Sequence, residues 1–433
     1  MFIKLKQLYK KVDHALVPPH EFVSESSFSR FINKYIPDLF IKHQIGNIVP
    51  IFWYLSTLLF SPLSYLIYKL ISQFYKFKIL KIDLSQIGSI LWLATIAADL
   101  KKHKYKGDIL VAIPYFYRNQ NQHIISYVES SKLANYIFIR NIFMRFIIAS
   151  ASWFKDSSID TRHYECYKNN IYSEYSDNLS NSLKFNINNN INDPELEEAR
   201  LNFIEYAGKK GVVTLNLRTS EFYKEKRISI RNVEPLDYFD VCSYLNSQGY
   251  SIAFSNSPGT ELTNLLDESY ISYRIYDKRD KIGQFENLLS LVACKYFIGT
   301  STGASVIPLM FNIPVYWTNM YLPIWVPLKS NDVIIWKDYF DSNKIKISFK
   351  EFIELGLDSP EMMNFNALNR IHITVNSNSK KKLLSGLKLF LDLQKGNSNF
   401  DSLCLNYDAD LIKNSTFHAK VRWSSGSKSF YIN

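Results

Sequence analysis

The sequence predicts an α/β protein built from two Rossmann-like, doubly wound domains facing each other. Three observations carry this expectation: two series of short apolar strands that alternate with helical segments, an Asn/Ser-rich stretch between the two series, and turns of glycine and hydroxyl residues at strand carboxyl ends. With 433 residues, 47% hydrophobic and 15% aromatic, the chain has enough apolar material for two ordinary cores.

Residues 1–76 read as a basic and apolar N-terminal segment. Met1–Lys11 carries lysines, but no short apolar core with a small-residue cleavage site follows it, so a signal peptide is not indicated. No charged residue occurs from Gln44 to Tyr68, and Ile48–Tyr68 is dense in Ile, Leu, Phe, Trp and Tyr. That length could span a bilayer, yet Pro50 and Pro62 would break a regular helix, and the aromatic rings suit a headgroup zone. Three readings stay open: a membrane-surface or re-entrant segment, a buried or partner-binding helix, and a full span. Lys42 and Lys69 on the two flanks suit peripheral contact with an anionic leaflet.

The first domain is expected over 77–167. Phe77–Leu84 (FKILKIDL) reads as a strand, followed by a tight turn through Gly88 and Ser89 and a helix over Ile90–Lys102. Asp108–Pro114 (DILVAIP) is a second buried strand, and a third lies near Tyr136–Arg140. Residues 168–193, with Asn188, Asn189 and Asn190, form a linker or surface loop.

The second domain is expected over 194–395. Pro194 and the carboxylates Glu195, Glu197 and Glu198 open a helix to about Ala207. Gly211–Leu217 (GVVTLNL) is a strand, Val233–Gln248 a helix closed by Gly249, and Tyr250–Phe254 a strand. A helix at Glu261–Asp267, a strand at Tyr270–Tyr276, a helix at Phe285–Ala293 and the strand Tyr296–Ile298 follow. The series ends with a helix over Ala304–Phe311, the strand Pro314–Trp317 and an amphipathic helix over Lys380–Gln394. Residues 396–433 are a polar tail.

The densest chemical signal is Gly299-Thr300-Ser301-Thr302-Gly303-Ala304-Ser305, between a strand and a helix. Small residues admit a ligand to the backbone, hydroxyls donate to phosphate oxygens, and amides opening a helix face an anion. An ordinary capped turn is the plainer alternative. Arg218, at the carboxyl end of Gly211–Leu217, brings a rigid fork of donors suited to a diphosphate. Arg231 and Asn232 fall on the same sheet edge, as does the loop Ser255–Gly259.

Other chemistries lack their motifs. There is no GxxxxGK[ST] for ATP and no GxGxxG for a dinucleotide. Cys166, Cys242, Cys294 and Cys404 are scattered, and the eight histidines show no HExxH, so neither a disulfide framework nor a metal site is expected. Asp408 and Asp410, close to the chain end, read as a solvated turn. The net charge of +11 favours an anionic partner, but no basic helix or zinc module points to nucleic acid.

VTLNLR (Val213–Arg218), SIRN (Ser229–Asn232) with Tyr238 beyond it, CKYFIGTSTG (Cys294–Gly303) and NIPVYWTN (Asn312–Asn319) stand in that order. In this the chain resembles a bacterial family of glycosyltransferases from surface-polysaccharide gene clusters, of the two-domain GT-B type and distantly similar to fucosyltransferases. The resemblance covers about residues 211–319. It implies that Arg218 binds the donor diphosphate, that Gly299, Thr300, Ser301, Thr302 and Gly303 form the donor-phosphate loop, and that Arg231 and Asn232 line the donor site. It also places Gly88 and Ser89 near the acceptor, although the family pattern has histidine where this chain has Ser89.

The function so implied is metal-independent transfer of a sugar from a nucleoside-diphosphate sugar to a glycan or lipid-linked acceptor, without a cofactor, at the cytoplasmic face of the inner membrane. An inverting reaction would need a base, for which Asp83, Asp99 and His123 are candidates. The competing expectation is a membrane-associated scaffold or nucleotide-sugar-binding protein that keeps the fold without catalysis.

Overall fold

A computed structural model describes residues 56–80, 107–112, 136–139, 141–154, 158–159, 193–223, 229–276, 281–305, 307–308, 311, 313–321, 332–357 and 365–396. Gly88, Ser89, Asp83, Asp99, His123, Asp408 and Asp410 lie outside these residues, as do the expected helix at 90–102, the linker up to 192 and the tail from 397. The chain divides into two compact units, Met1–Cys166 and Tyr167–Asn433.

In the first unit, helix α1 (Ser61–Phe74) precedes strands β1 (Phe77–Leu80), β2 (Asp108–Ala112) and β3 (Tyr136–Ile139), helix α2 (Ile142–Ala151) and strand β4 (Ser158–Ile159). Residues 56–59 are helical, the chain turns at Phe60, and α1 begins at Ser61 with Pro62 in its first turn, where the missing N–H costs nothing, so the helix is interrupted just before this proline as the sequence predicts. Asn141 caps α2 by accepting from the N–H groups of Phe143 and Met144. All strand pairs are parallel, in the order β3-β2-β1-β4. Tyr68, Phe77, Ile79, Ile148 and Ala151 form the core on which α1 and α2 rest.

The second unit opens with α3 (Pro194–Ala207), capped by the Asp193 carboxylate on the N–H of Glu195. There follow β5 (Val212–Asn216), the short α4 (Ser220–Tyr223), a 3-10 turn over Pro235–Tyr238, α5 (Phe239–Ser247), β6 (Ser251–Phe254), α6 (Thr260–Glu268), β7 (Tyr273–Ile275), α7 (Lys281–Val292) and β8 (Tyr296–Gly299). Beyond them come β9 (Val315–Met320), β10 (Val333–Trp336), β11 (Asp338–Phe340), α8 (Phe349–Glu354), α9 (Phe365–Arg370), β12 (Thr374–Asn376) and α10 (Lys380–Gln394).

The six-stranded sheet is parallel throughout, in the order β10-β9-β8-β5-β6-β7. Numbered from its own first strand, this is the 3-2-1-4-5-6 arrangement of a doubly wound nucleotide-binding fold, and the first unit repeats its opening, 3-2-1-4. The expectation of two Rossmann-like α/β domains is thus met in strand order. β5 and β8 are buried at every position, as parallel strands covered on both faces must be. Their inward residues pack with α5 and α10 around Leu215, Ile298, Tyr316 and Phe390.

A smaller antiparallel pair, β11–β12, was not foreseen from the sequence. It has its own cluster of Ile230, Tyr321, Tyr339, Phe352, Leu357, Leu368 and Ile373. Ile230 belongs to the segment that carries Arg231, so this side cluster anchors one wall of the candidate site.

Candidate functional site

In a doubly wound sheet the crevice for a ligand opens where neighbouring strands send their connections in opposite directions, at the carboxyl ends. Here that switch point lies between β5 and β8, whose register pairs Asn216 with Gly299. Arg218 follows the first strand and Thr300–Ser305 the second. The segments singled out in the sequence therefore meet at one place.

They are tied to each other by hydrogen bonds. Thr300 Oγ1 accepts from the backbone N–H of Arg218 (3.0 Å) and donates to the Asn216 carbonyl (3.3 Å). The Arg218 carbonyl accepts from the N–H of Val233 (2.9 Å), which brings in the segment after α4. From that segment the Arg231 guanidinium reaches the Ser301 carbonyl with two donors, and its carbon lies 6.0 Å from the Tyr321 ring centre. Arg218 and Arg231 are both half-buried.

Beneath these arginines lies a buried polar floor. Asn216 donates to Ser255 Oγ (2.5 Å) and accepts from Thr302 Oγ1 (2.6 Å). Thr302 also pairs with Ser305, whose hydroxyl donates to the Thr300 carbonyl (2.9 Å). Asn256 donates to the Leu217 carbonyl, and Asn287 to the Ser255 carbonyl. The hydroxyls of Thr300, Thr302 and Ser305, read from sequence as phosphate donors, thus hold the loop's own shape. Ser255 and Asn256 likewise face the fold.

Two local expectations are corrected. Residues 301–305 form bends and a turn, not the start of the helix expected over Ala304–Phe311; helical backbone is described at 307–308. The loop is instead held by its own bonds: the Thr302 N–H and the Ser305 hydroxyl both donate to the Thr300 carbonyl, which folds residues 300–305 back on themselves. Gly299 is small for an internal reason. A Cβ there would fall on the ring edge of Phe297 and 2.8 Å from Ser305 Oγ. Gly303, by contrast, is exposed at the rim.

The N-terminus of α6 is already occupied. Glu221 accepts from the N–H of Thr260 (3.1 Å) and from its hydroxyl (2.7 Å), so this carboxylate takes the position an external anion could have held.

Lys337 escaped the sequence reading. It lies between β10 and β11, 5% exposed, and its ammonium donates to the carbonyl of Asn232 (2.7 Å) and to Ser377 Oγ (3.2 Å). Burial lowers its pKa to about 8. A lysine between apolar strand residues carries no pattern that distinguishes burial from a solvated edge. Asn232, predicted as a donor-site residue, is joined to this lysine through its backbone carbonyl.

The motif residues Tyr238, Thr318 and Asn319 form a second buried network. The Tyr238 hydroxyl pairs with Thr318 Oγ1 (2.7 Å) and accepts from Asn319 Nδ2 (2.9 Å), and burial pushes that hydroxyl well above the ordinary tyrosine pKa. Asn319 has a left-handed backbone, φ 51°, and exchanges two hydrogen bonds with Asn378. Among the described residues, no group of three His, Cys, Asp or Glu is placed to hold a metal ion.

No family model and no curated protein matches the chain. Solved structures similar to it include an E. coli ADP-heptose LPS heptosyltransferase II, with 12% identity, TM-score 0.39, and 74% of this chain covered against 100% of that one. The glycosyl transferase family 9 protein of Veillonella parvula matches with 11% identity, TM-score 0.40, and 74% and 98% covered. POFUT1 in complex with GDP-fucose matches with 13% identity, TM-score 0.25, and 47% and 59% covered. At these TM-scores none of the likenesses assigns an activity to this chain.

Proposed function

We propose that this chain is a glycosyltransferase that moves a sugar from a nucleoside-diphosphate sugar to a glycan or lipid-linked acceptor. Its setting would be bacterial surface-polysaccharide synthesis at the cytoplasmic face of the inner membrane. The observation that supports the donor half of this reading is the convergence of Arg218, Arg231 and Ser301–Gly303 at the switch point between β5 and β8. The Arg231 guanidinium on the loop that carries the exposed Gly303, and Arg218 directly after β5, are residues suited to a diphosphate at the place where doubly wound folds take nucleotides.

In the transfer step the bond from the anomeric carbon to the diphosphate oxygen breaks as the acceptor oxygen bonds to that carbon and its hydroxyl proton passes to a general base. Negative charge grows on the leaving diphosphate. Arg218 and Arg231 would neutralise it by charge-assisted hydrogen bonds, which makes the proposed reaction metal-independent. The buried floor under them would keep these donors in position without reorganisation, since Asn216, Thr300, Thr302 and Ser305 are already paired.

The test is a thermal-shift screen of the full chain against ADP, GDP, UDP, CMP and their sugars in EDTA, beside Arg218→Ala. That substitution leaves the backbone bonds of residue 218 to Thr300 and Val233 intact, so the fold should survive it. A ligand at a hundredfold excess over its Kd stabilises by about 2.7 kcal/mol. Stabilisation by one nucleotide class, lost in the variant, is the expected result. No stabilisation by any of them, with or without Mg²⁺, would replace this reading with that of a scaffold.

A further inference from the structure

Helix α1 turns its leucines outward. Leu59, in the helical turn just before it, and Leu63, Leu66, Leu70 and Phe74 recur every three or four residues and so share a face. Each is more than half exposed, from 54% at Leu70 to 89% at Phe74. The packed face is the polar one: Ser61, Ser64 and Tyr68 are buried, Tyr65 stacks on Phe154 at 4.0 Å, and Trp153 donates to Thr57. A surface helix of a water-soluble core has the opposite arrangement. At the start of α2, which packs on α1, Ile142, Phe143 and Met144 are exposed as well.

The charge carried by the two helices has a single sign; Asp108, whose N–H donates to the Lys76 carbonyl, lies beyond the end of α1. Lys69 is the one charged residue of α1 and Arg145 the one charged residue of α2; Lys76 and Lys78 follow α1. No Asp or Glu occurs from Leu39 to Ile82 or from Tyr136 to Lys155. Lys69 and Lys76 are exposed, beside the leucine stripe and at its end.

We propose that α1 is an interfacial helix that lays Leu63, Leu66, Leu70 and Phe74 into the surface of a bilayer containing anionic lipid, with Lys69 and Lys76 at the headgroups. Aliphatic and phenyl carbon bordered by lysines matches acyl chains beneath phosphates, whereas a specific protein partner would be met by polar groups that this face does not offer. Fourteen residues of helix are about 21 Å long, short of the roughly 30 Å hydrocarbon core, so α1 lies on the membrane and does not cross it. No described helix is long and apolar enough to cross. The proposal concerns the first unit alone and does not depend on donor chemistry in the second.

Flotation of the full chain on vesicles of phosphatidylcholine, with and without phosphatidylglycerol, tests it. The native chain should float with the anionic vesicles. Leu66→Ser with Leu70→Ser should lower partitioning at least about tenfold, and Lys69→Glu with Lys76→Glu should abolish the preference for phosphatidylglycerol. All four side chains are exposed, so both variants should still unfold in one cooperative transition, the lysine variant at a somewhat lower temperature for the loss of the Lys69 contact with the Tyr65 ring at 5.3 Å. Absence of flotation, or flotation unchanged by the leucine substitutions, would overturn the proposal. A dimer that those substitutions dissociate, without flotation, would assign the face to a second copy of the chain instead. A failed nucleotide screen would leave the flotation result unaffected.

Discussion

The guanidinium of Arg231 holds the carbonyl of Ser301 with two donors, Nε at 3.0 Å and a terminal nitrogen at 2.5 Å. An arginine expected to bind a ligand thereby also fixes the loop on which the ligand would rest. Arg231→Ala should lower unfolding stability by about 1.5–3 kcal/mol, the range for hydrogen bonds to a charged group, as read from denaturant midpoints. Arg231→Lys should recover only part of this, because an ammonium cannot reproduce the fork of two parallel donors. If lysine restored stability fully, charge alone would account for the contact.

Thr300 joins the two strands of the switch point, and its methyl and hydroxyl can be separated by substitution. Thr300→Val keeps the shape but leaves the Arg218 N–H without its acceptor in a fully buried place. The expected loss is about 1–3 kcal/mol, while Thr300→Ser, which keeps the hydroxyl, should lose less. A loss from serine with none from valine would show that the methyl packing, not the hydrogen bond, matters here.

Gly299→Ala tests the internal reason for that glycine. The added methyl meets the Phe297 ring and Ser305 Oγ, and overpacking of this kind costs about 1–3 kcal/mol. Trimming the ring in Gly299→Ala with Phe297→Leu should recover part of the loss. A glycine retained only to admit a ligand would instead leave stability unchanged in the alanine variant and lower nucleotide affinity alone.

What the sequence made legible follows from periodicity. The runs GVVTLNL and YFIG are apolar but for Thr214 and Asn216 among their inner positions, and both are strands buried on two faces. The Pro194 start and the Lys380–Gln394 helix are met to the residue, because Asp193 and Ser379 cap them. What was not legible depends on partners distant in sequence. The Thr302 hydroxyl faces Asn216, eighty-six positions away, and the Lys337 ammonium faces Asn232, one hundred and five away. A hydroxyl that will bind phosphate and one that will brace its own loop have the same chemistry until the fold shows what surrounds them.

Lys337 also predicts how stability varies with pH. Burial sets its folded pKa at about 8, below the 10.5 of the free side chain, so the fold disfavours the ammonium. Between these values the unfolded chain binds the proton and the folded chain releases it. Stability contributed by this site must therefore rise as pH rises from about 8 toward 10.5, and the penalty is fully present below pH 8. A separation of that size corresponds to about 3 kcal/mol at the upper limit. Above pH 10 a buried tyrosine such as Tyr276, pushed up to about 12, acts in the opposite sense, because its unfolded form ionises first. The Cys242 thiol, pushed by burial from 9.0 to about 12, opposes Lys337 in the same way from about pH 8.5 upward, so the site is read as a difference between two proteins over pH 8 to 9.5. The denaturant midpoint of the native chain should gain on that of Lys337→Met as pH rises there, since methionine keeps nearly the length of the side chain and removes its charge. A midpoint rise of equal size in both proteins would place the titrating group elsewhere.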